Sequence, residues 1–274
     1  MSSIREKLNN MFSKVMAGTV TREEGTMLIN HLAKEDQADT IRELIYLIDN
    51  PPQGVFPKTV LHTIALSRNK AFYGIMLESL EHKNEDVSIL AAEELASLKT
   101  SDAKYVLMEH LNSEVYHVRK ASALALAKGF DDGVEILKRH IIAHPEPFYR
   151  LTSAQALLLS GRKGGLSSLI EILSSGNEGA VKTAAEALSG AGDMLPGEDI
   201  PKILGALMLA GDNKDSRLII ELLKVVAGLK GRARGFEGFV LAFTDYPSDP
   251  VRAEAEHALK EIRQSSATYT QDAD

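Results

Sequence analysis

The stretch VRKASALALAKG, Val118 to Gly129, sets a charged pair ahead of a run made almost wholly of alanine and leucine. Alanine favours helix strongly but buries little apolar surface, so its density here signals helix axes in close approach. The stretch also recurs. With Val118 as anchor and Leu126 eight residues on, a step of 31 residues upstream reaches Val87 and Leu95 in VSILAAEEL. A second step reaches Phe56 and Ile64 in FPKTVLHTI. The same step downstream reaches Tyr149 and Leu157 in YRLTSAQAL, then Ala180 and Leu188 in AVKTAAEAL. Five units share one spacing without a gap. Beyond them MLPGEDIP, Met194 to Pro201, lengthens a loop, DNKDSRLIIELLK holds a degenerate unit with Ser216 at the anchor, and DPVRAEAEHAL restores the pattern with Val251 and Leu259.

Small residues hold fixed places within the unit. Four after the anchor stand Ala91, Ser122, Ser153, Ala184 and Ala255; seven after it stand Ala125, Ala156, Ala187 and Ala258, with Glu94 the exception. Positions 0, 4, 7 and 8 share one face of an α-helix, so this face is the expected packing seam. Helices with larger apolar residues at i, i+3, i+4 spacing are predicted over 103–111, 134–142 and 166–173, separated from the alanine-rich ones by turns such as KTSD, GFDDG and GRKGG. All nine prolines fall in loops or at predicted helix starts. No stretch alternates with a strand's period of two. The expected fold is all-α: an α-solenoid of stacked antiparallel helix pairs, each burying its apolar face against the next.

This reading divides the chain into an N-terminal helical hairpin cap at residues 1–35, a repeat solenoid of about seven units over 36–264, and a disordered tail at 265–274. In the cap, Ile4, Leu8, Met11, Phe12 and Val15 share a face, and Thr21 with Glu24 forms a capping-box start.

Composition narrows the function classes. There is no cysteine, which removes disulfides and thiolate chemistry and fits a reducing compartment. The start MSSIREKLNNMF has charges where a signal peptide needs apolar residues, and windows such as GALMLAG fall far short of the roughly 20 residues that span a bilayer. A soluble cytoplasmic protein is the expectation. The net charge of −7 argues against general attraction to nucleic acid or anionic membrane. Only residues 102–165 are slightly basic, with nine basic and seven acidic side chains.

The anchors Val118-Arg119, Tyr149-Arg150 and Val251-Arg252, with their alanine and leucine continuations, resemble the D-x-x-V-R-x-x-A-A-x-A-L start of the second helix in short HEAT-like repeats of the phycobilisome-lyase type. The resemblance covers roughly residues 40–263. The acid of the pattern is patchy: Glu146 fills it before Tyr149, while Asn84 and Asn177 stand in elsewhere. The resemblance implies that Arg119, Arg150, Arg217 and Arg252 form a structural ladder between neighbouring repeats, a role that suits bidentate pairing with carboxylates. It also implies that second helices line the concave, partner-facing side.

Residues two, six and nine after each anchor should face outward there. These include Lys120 and Leu124, Leu151, Gln155 and Leu158, and Lys182 and Glu186. Leu124, Leu151 and Leu158 would form an apolar strip flanked by charge, which is the signature of a partner site. The expected function is a non-enzymatic scaffold or adaptor for a protein partner, with no cofactor, no metal and no catalytic residue. A tetrapyrrole-cradling protein like the phycobilin lyases is the first rival, with Tyr116, Phe148 and Tyr149 as candidates. A HEAT-like DNA glycosylase is the second, disfavoured by the charge and by the absence of tryptophan. His140 and His144 have the i, i+4 spacing of metal ligands, but Pro145 places His144 past a helix end. The basic loop KGRARG, Lys230 to Gly235, lacks a phosphate-loop spacing and is expected to be a solvated turn.

Overall fold

In the computed structural model, which describes residues 3–264, every regular element is a helix. The tail expected at 265–274 lies outside the described residues. No helix among the described residues is long and apolar enough to cross a membrane. The chain divides into two compact units, residues 1–133 and 134–274.

The first unit holds four helix pairs: α1 (Ile4–Met16) with α2 (Arg22–Glu35), α3 (Gln37–Asp49) with α4 (Pro57–Leu66), α5 (Tyr73–Leu80) with α6 (Glu85–Ser97), and α7 (Ser101–His110) with α8 (Tyr116–Gly129). Second helices stack in sequence: α2 on α4, α4 on α6 and α6 on α8. α1 and α2 each start with a full capping box, Ser3 with Glu6 and Thr21 with Glu24. Leu8, Met11 and Phe12 fill the core of this hairpin, with Ile4 and Val15 half-buried at its edge. Arg5 ties α1 to α3: its Nε lies 2.6 Å from Glu43, and its guanidinium covers the Tyr46 ring at 4.0 Å.

The second unit pairs α9 (Gly133–Ala143) with α10 (Pro147–Leu159), α11 (Leu166–Ile172) with α12 (Glu178–Ser189), α13 (Ile200–Asp212) with α14 (Ser216–Leu229), and the short α15 (Glu237–Leu241) with α16 (Asp249–Gln264). Here too the second helices form the spine, α10 on α12, α12 on α14 and α14 on α16. Each unit is a short α-solenoid, in which a pair is stable because its neighbour covers the face it cannot bury alone.

The alanines do what their spacing implies, on a wider face than expected. Ala91, Ser122, Ser153 and Ala184 are fully buried, and so are Ala92, Ala123, Ala154 and Ala185 one position on. A second helix lies between second helices on two sides and its own first helix on a third, so most of its circumference is core. Of the five evenly spaced anchors, two depart from the pattern. Phe56 is 54% exposed and merely precedes α4, which Pro57 starts. Tyr149 is only half-buried, because its ring packs at the start of α10 against His144 and Phe148, with centroids 5.5 and 5.9 Å away.

Asn84 and Asn177, which stand where the repeat pattern has an acid, are helix N-caps. Their side chains accept from the backbone N–H of Asp86 at 2.9 Å and of Ala180 at 3.0 Å. Asp215 caps α14 in the same way through Leu218 at 3.1 Å.

Candidate functional site

The outward rows of the second helices are populated by paired charges. On α8, Lys120 reaches back to Glu85 at the start of α6, with Nζ 3.1 Å from the carboxylate. One repeat earlier, His62 on α4 contacts Glu94 on α6. Glu94 breaks the alanine pattern because its carboxylate serves this inter-helix pair, and it is nearly buried. In the second unit, Lys182 on α12 bridges Glu178 at 2.6 Å and Asp215 at 3.0 Å, the latter at the start of α14.

Those hydrogen bonds, to Glu178 first and Asp215 second, raise the Lys182 pKa above its ordinary value. Burial pushes Asp215 up, but Lys182 and the backbone N–H groups of Leu218 and Arg217 outweigh it and hold the carboxyl below the usual range. On α14, Lys224 hydrogen-bonds Glu221 at 2.8 Å; that bond foremost, with Glu254 and Glu186 close by, raises its pKa too. Glu186 itself is exposed.

Charged pairs between neighbouring repeats are made by Lys120, His62 and Lys182, and among the four arginines by Arg150. The other three arginines behave differently. Arg119 is wholly buried and donates to the carbonyls of Ser113 and Glu114 in the turn before its own helix. Arg252 donates to the Tyr246 carbonyl at 2.7 Å and also contacts Asp249. Arg150 pairs with Glu171 of the next helix pair at 3.3 Å, and Arg217 is exposed and forms no ion pair among the described residues. A sequence pattern shows that an arginine recurs, not which way its side chain turns. The signal for the lysine ladder was present in the acids one or two residues before an anchor, Glu85, Glu178 and Asp215.

The apolar strip is not continuous. Leu124 on α8 and Leu158 on α10 are half-exposed, but Leu151 is 1% exposed and belongs to the core. α10 keeps the register of α8, burying Ser153, Ala154, Ala156 and Leu157 where α8 buries Ser122, Ala123, Ala125 and Leu126, and it buries Leu151 as well. Moreover, Leu124 lies in the first unit and Leu158 in the second. Gln155 is half-buried beside Leu158.

Tyr116 lies in the first unit, whereas Phe148 and Tyr149 form one aromatic group in the second with His144 and His140. His140 is nearly buried; its Nδ1 lies 3.0 Å from Ser153 Oγ and its ring centroid 4.3 Å from that of His144. No group of three or more histidine, cysteine or acidic side chains able to hold a metal occurs among the described residues. The loop KGRARG is not a free turn. Arg232 donates to the carbonyls of Leu195, at 2.5 Å, and of Gly192, while Ala233 is fully buried. The loop clamps the long insertion that breaks the repeat register.

Stacked helix pairs of this length, joined through an alanine seam, define a helical-repeat protein of the α-solenoid class. Residues 41–127 match the family model described as HEAT repeats. No curated protein matches it in sequence. Among solved structures, the chain is similar to an engineered protein at 20% identity and a TM-score of 0.45, covering 94% of this chain and 84% of that one. It is also similar to a designed armadillo repeat protein, at 16% identity and a TM-score of 0.41 over 69% and 99% of the two chains. Human deoxyhypusine hydroxylase in complex with glycerol aligns at 14% identity and a TM-score of 0.37, over 95% and 97%.

Proposed function

We propose that this chain is a non-catalytic scaffold that holds a segment of a partner protein along the outward rows of its second helices. The observation that carries this reading is the composition of those rows. Lys120, Lys182 and Glu186 present mixed charge, and Leu124, Gln155 and Leu158 present apolar and amide surface only partly covered by the chain itself. Mixed polar and apolar surface on rigid helices suits the recognition of a peptide or helix. The lysines are held in place by Glu85, Glu178 and Asp215, so they are ordered before a partner arrives and lose less freedom on binding. Each unit carries more acidic than basic side chains, 19 to 15 in the first and 19 to 16 in the second, which favours a protein over a nucleic acid.

The test is site-specific photo-cross-linking in cells. Photoreactive residues at Leu124, Gln155 and Leu158 should capture a partner, and the same group at Met27, which is 72% exposed on α2, should not. Loss of that adduct in a folded Leu124→Asp, Leu158→Asp variant supports the reading; undiminished capture sinks it. Leu151 is left intact because its substitution would disrupt the core.

A further inference from the structure

A cleft of about 530 Å³ opens in the first unit between the C-terminal ends of α4 and α6. The equivalent gap one repeat on is shut: at Gly129, the end of α8, an added Cβ would stand 2.6 Å from the Ala96 Cβ of α6. The open cleft is of small-ligand size, for which roughly 300–1,000 Å³ is usual. Its floor is apolar, built from Ile64, Ala65, Met76 and Leu98.

Its rims carry opposite charge. Arg68 and Lys70 stand on the turn after α4, and Asp102 stands in the first turn of α7. All three are exposed, and none forms an ion pair among the described residues. Glu94 also lines the cleft but is engaged by His62, so Asp102 is the acid left for a ligand. Tyr73 lines the cleft, but its hydroxyl oxygen is buried out of solvent reach and has no hydrogen-bond partner among the described residues. Burial, with the Asp102 charge adding to it, raises the Tyr73 pKa.

We propose that this cleft binds a small apolar zwitterion, a free amine and a free carboxylate on a hydrocarbon body, of dipeptide size. The carboxylate faces Arg68 and Lys70, the ammonium faces Asp102, and the hydrocarbon covers the floor. Opposite charges held on facing rims without pairing each other are complementary to a ligand that carries both. The site is independent of the partner surface on the second helices.

The experiment titrates L-leucyl-L-leucine into the full chain carrying methyl-labelled isoleucine and methionine. The Ile64 and Met76 methyl signals should shift and saturate with a Kd on the order of 1 mM or tighter. N-acetylation or C-terminal amidation of the dipeptide should each weaken binding by about fivefold. Asp102→Asn should weaken binding of the dipeptide but not of its N-acetyl form, and Arg68→Ser with Lys70→Ser should do so relative to the amide. The absence of a saturable shift, or equal affinity for all three compounds, overturns the proposal.

Discussion

Arg119 donates from Nη1 to the carbonyl oxygen of Ser113, six residues back along the chain, at 2.6 Å. Arg252 makes the same i to i−6 contact with Tyr246 at 2.7 Å. In both, the guanidinium folds under its own helix start and satisfies the turn that leads into it. α8 begins at Val115 without a side-chain cap, so at this helix the arginine supplies the local order that Asn84 and Asn177 supply elsewhere. Arg119 adds a second bond to Glu114 at 3.0 Å and lies 5.8 Å from the Tyr116 ring centroid.

Arg119→Ala is therefore expected to be severe. It strips two carbonyls of a charged donor and leaves a cavity where the buried side chain stood, at a combined cost of about 3–5 kcal/mol. Arg217→Ala, at an exposed arginine in the equivalent place, should change stability by less than about 0.5 kcal/mol. Urea unfolding of the two variants decides the matter, and equal losses would show that the recurring arginine acts in some other way.

Asp215 links pH to the stability of the second unit. Its folded pKa is depressed, so its contribution is fully present above the unfolded value near 4 and is lost as pH falls through the lowered folded value. Asp215→Asn keeps an N-cap on α14 and removes only the charge that Lys182 contacts. The variant should be less stable than the parent at neutral pH, and the gap should close as pH drops below about 4. Unfolding curves from pH 7 to pH 2 read it directly; a gap that does not change with pH would mean the carboxylate acts only as a cap.

The fold was legible because it repeats. One spacing, sampled at Val87, Val118 and Ala180, marks second helices whose burial the structure reproduces. The site was less legible because one outward row was set alike for every second helix, while what covers that row differs from helix to helix. Leu151 is buried where its counterpart Lys120 is half-exposed. Charges were legible as composition but not as pairs, since Lys120 finds Glu85 across 35 residues. The Tyr73 cleft had no sequence signal, as it arises from the spacing of two helix ends.

Arg232→Ala tests the clamp on the inserted loop. The carbonyls of Gly192 and Leu195 lose their donor, and Gly192 already sits so close to Gly228 that a Cβ there would stand 2.3 Å from backbone. Loss of about 2–3 kcal/mol is expected, confined to the second unit. Hydrogen exchange should quicken across residues 192–200 and stay unchanged in α4 and α6. Uniform acceleration across both units would argue against a local clamp.

The quoted stretch ends in glycine for a reason that can be measured. Alanine at Gly129 would gain about 1 kcal/mol in helix propensity. Its Cβ would also stand 2.6 Å from the Ala96 Cβ and 3.4 Å from the Ala96 Cα, where the neighbour is α6 itself and not a flexible side chain. Pushing two packed helices apart costs about 1–3 kcal/mol, which exceeds the propensity gain, so Gly129→Ala should destabilise the first unit. Moving the small residue across the contact, with Ala96→Gly added to Gly129→Ala, relieves the clash. The two changes should therefore be non-additive, and the double variant should be more stable than Gly129→Ala alone despite a second helix glycine. Thermal melts of the full cycle give the coupling directly, and simple additivity would show that the contact between α6 and α8 is not what keeps a glycine at this position.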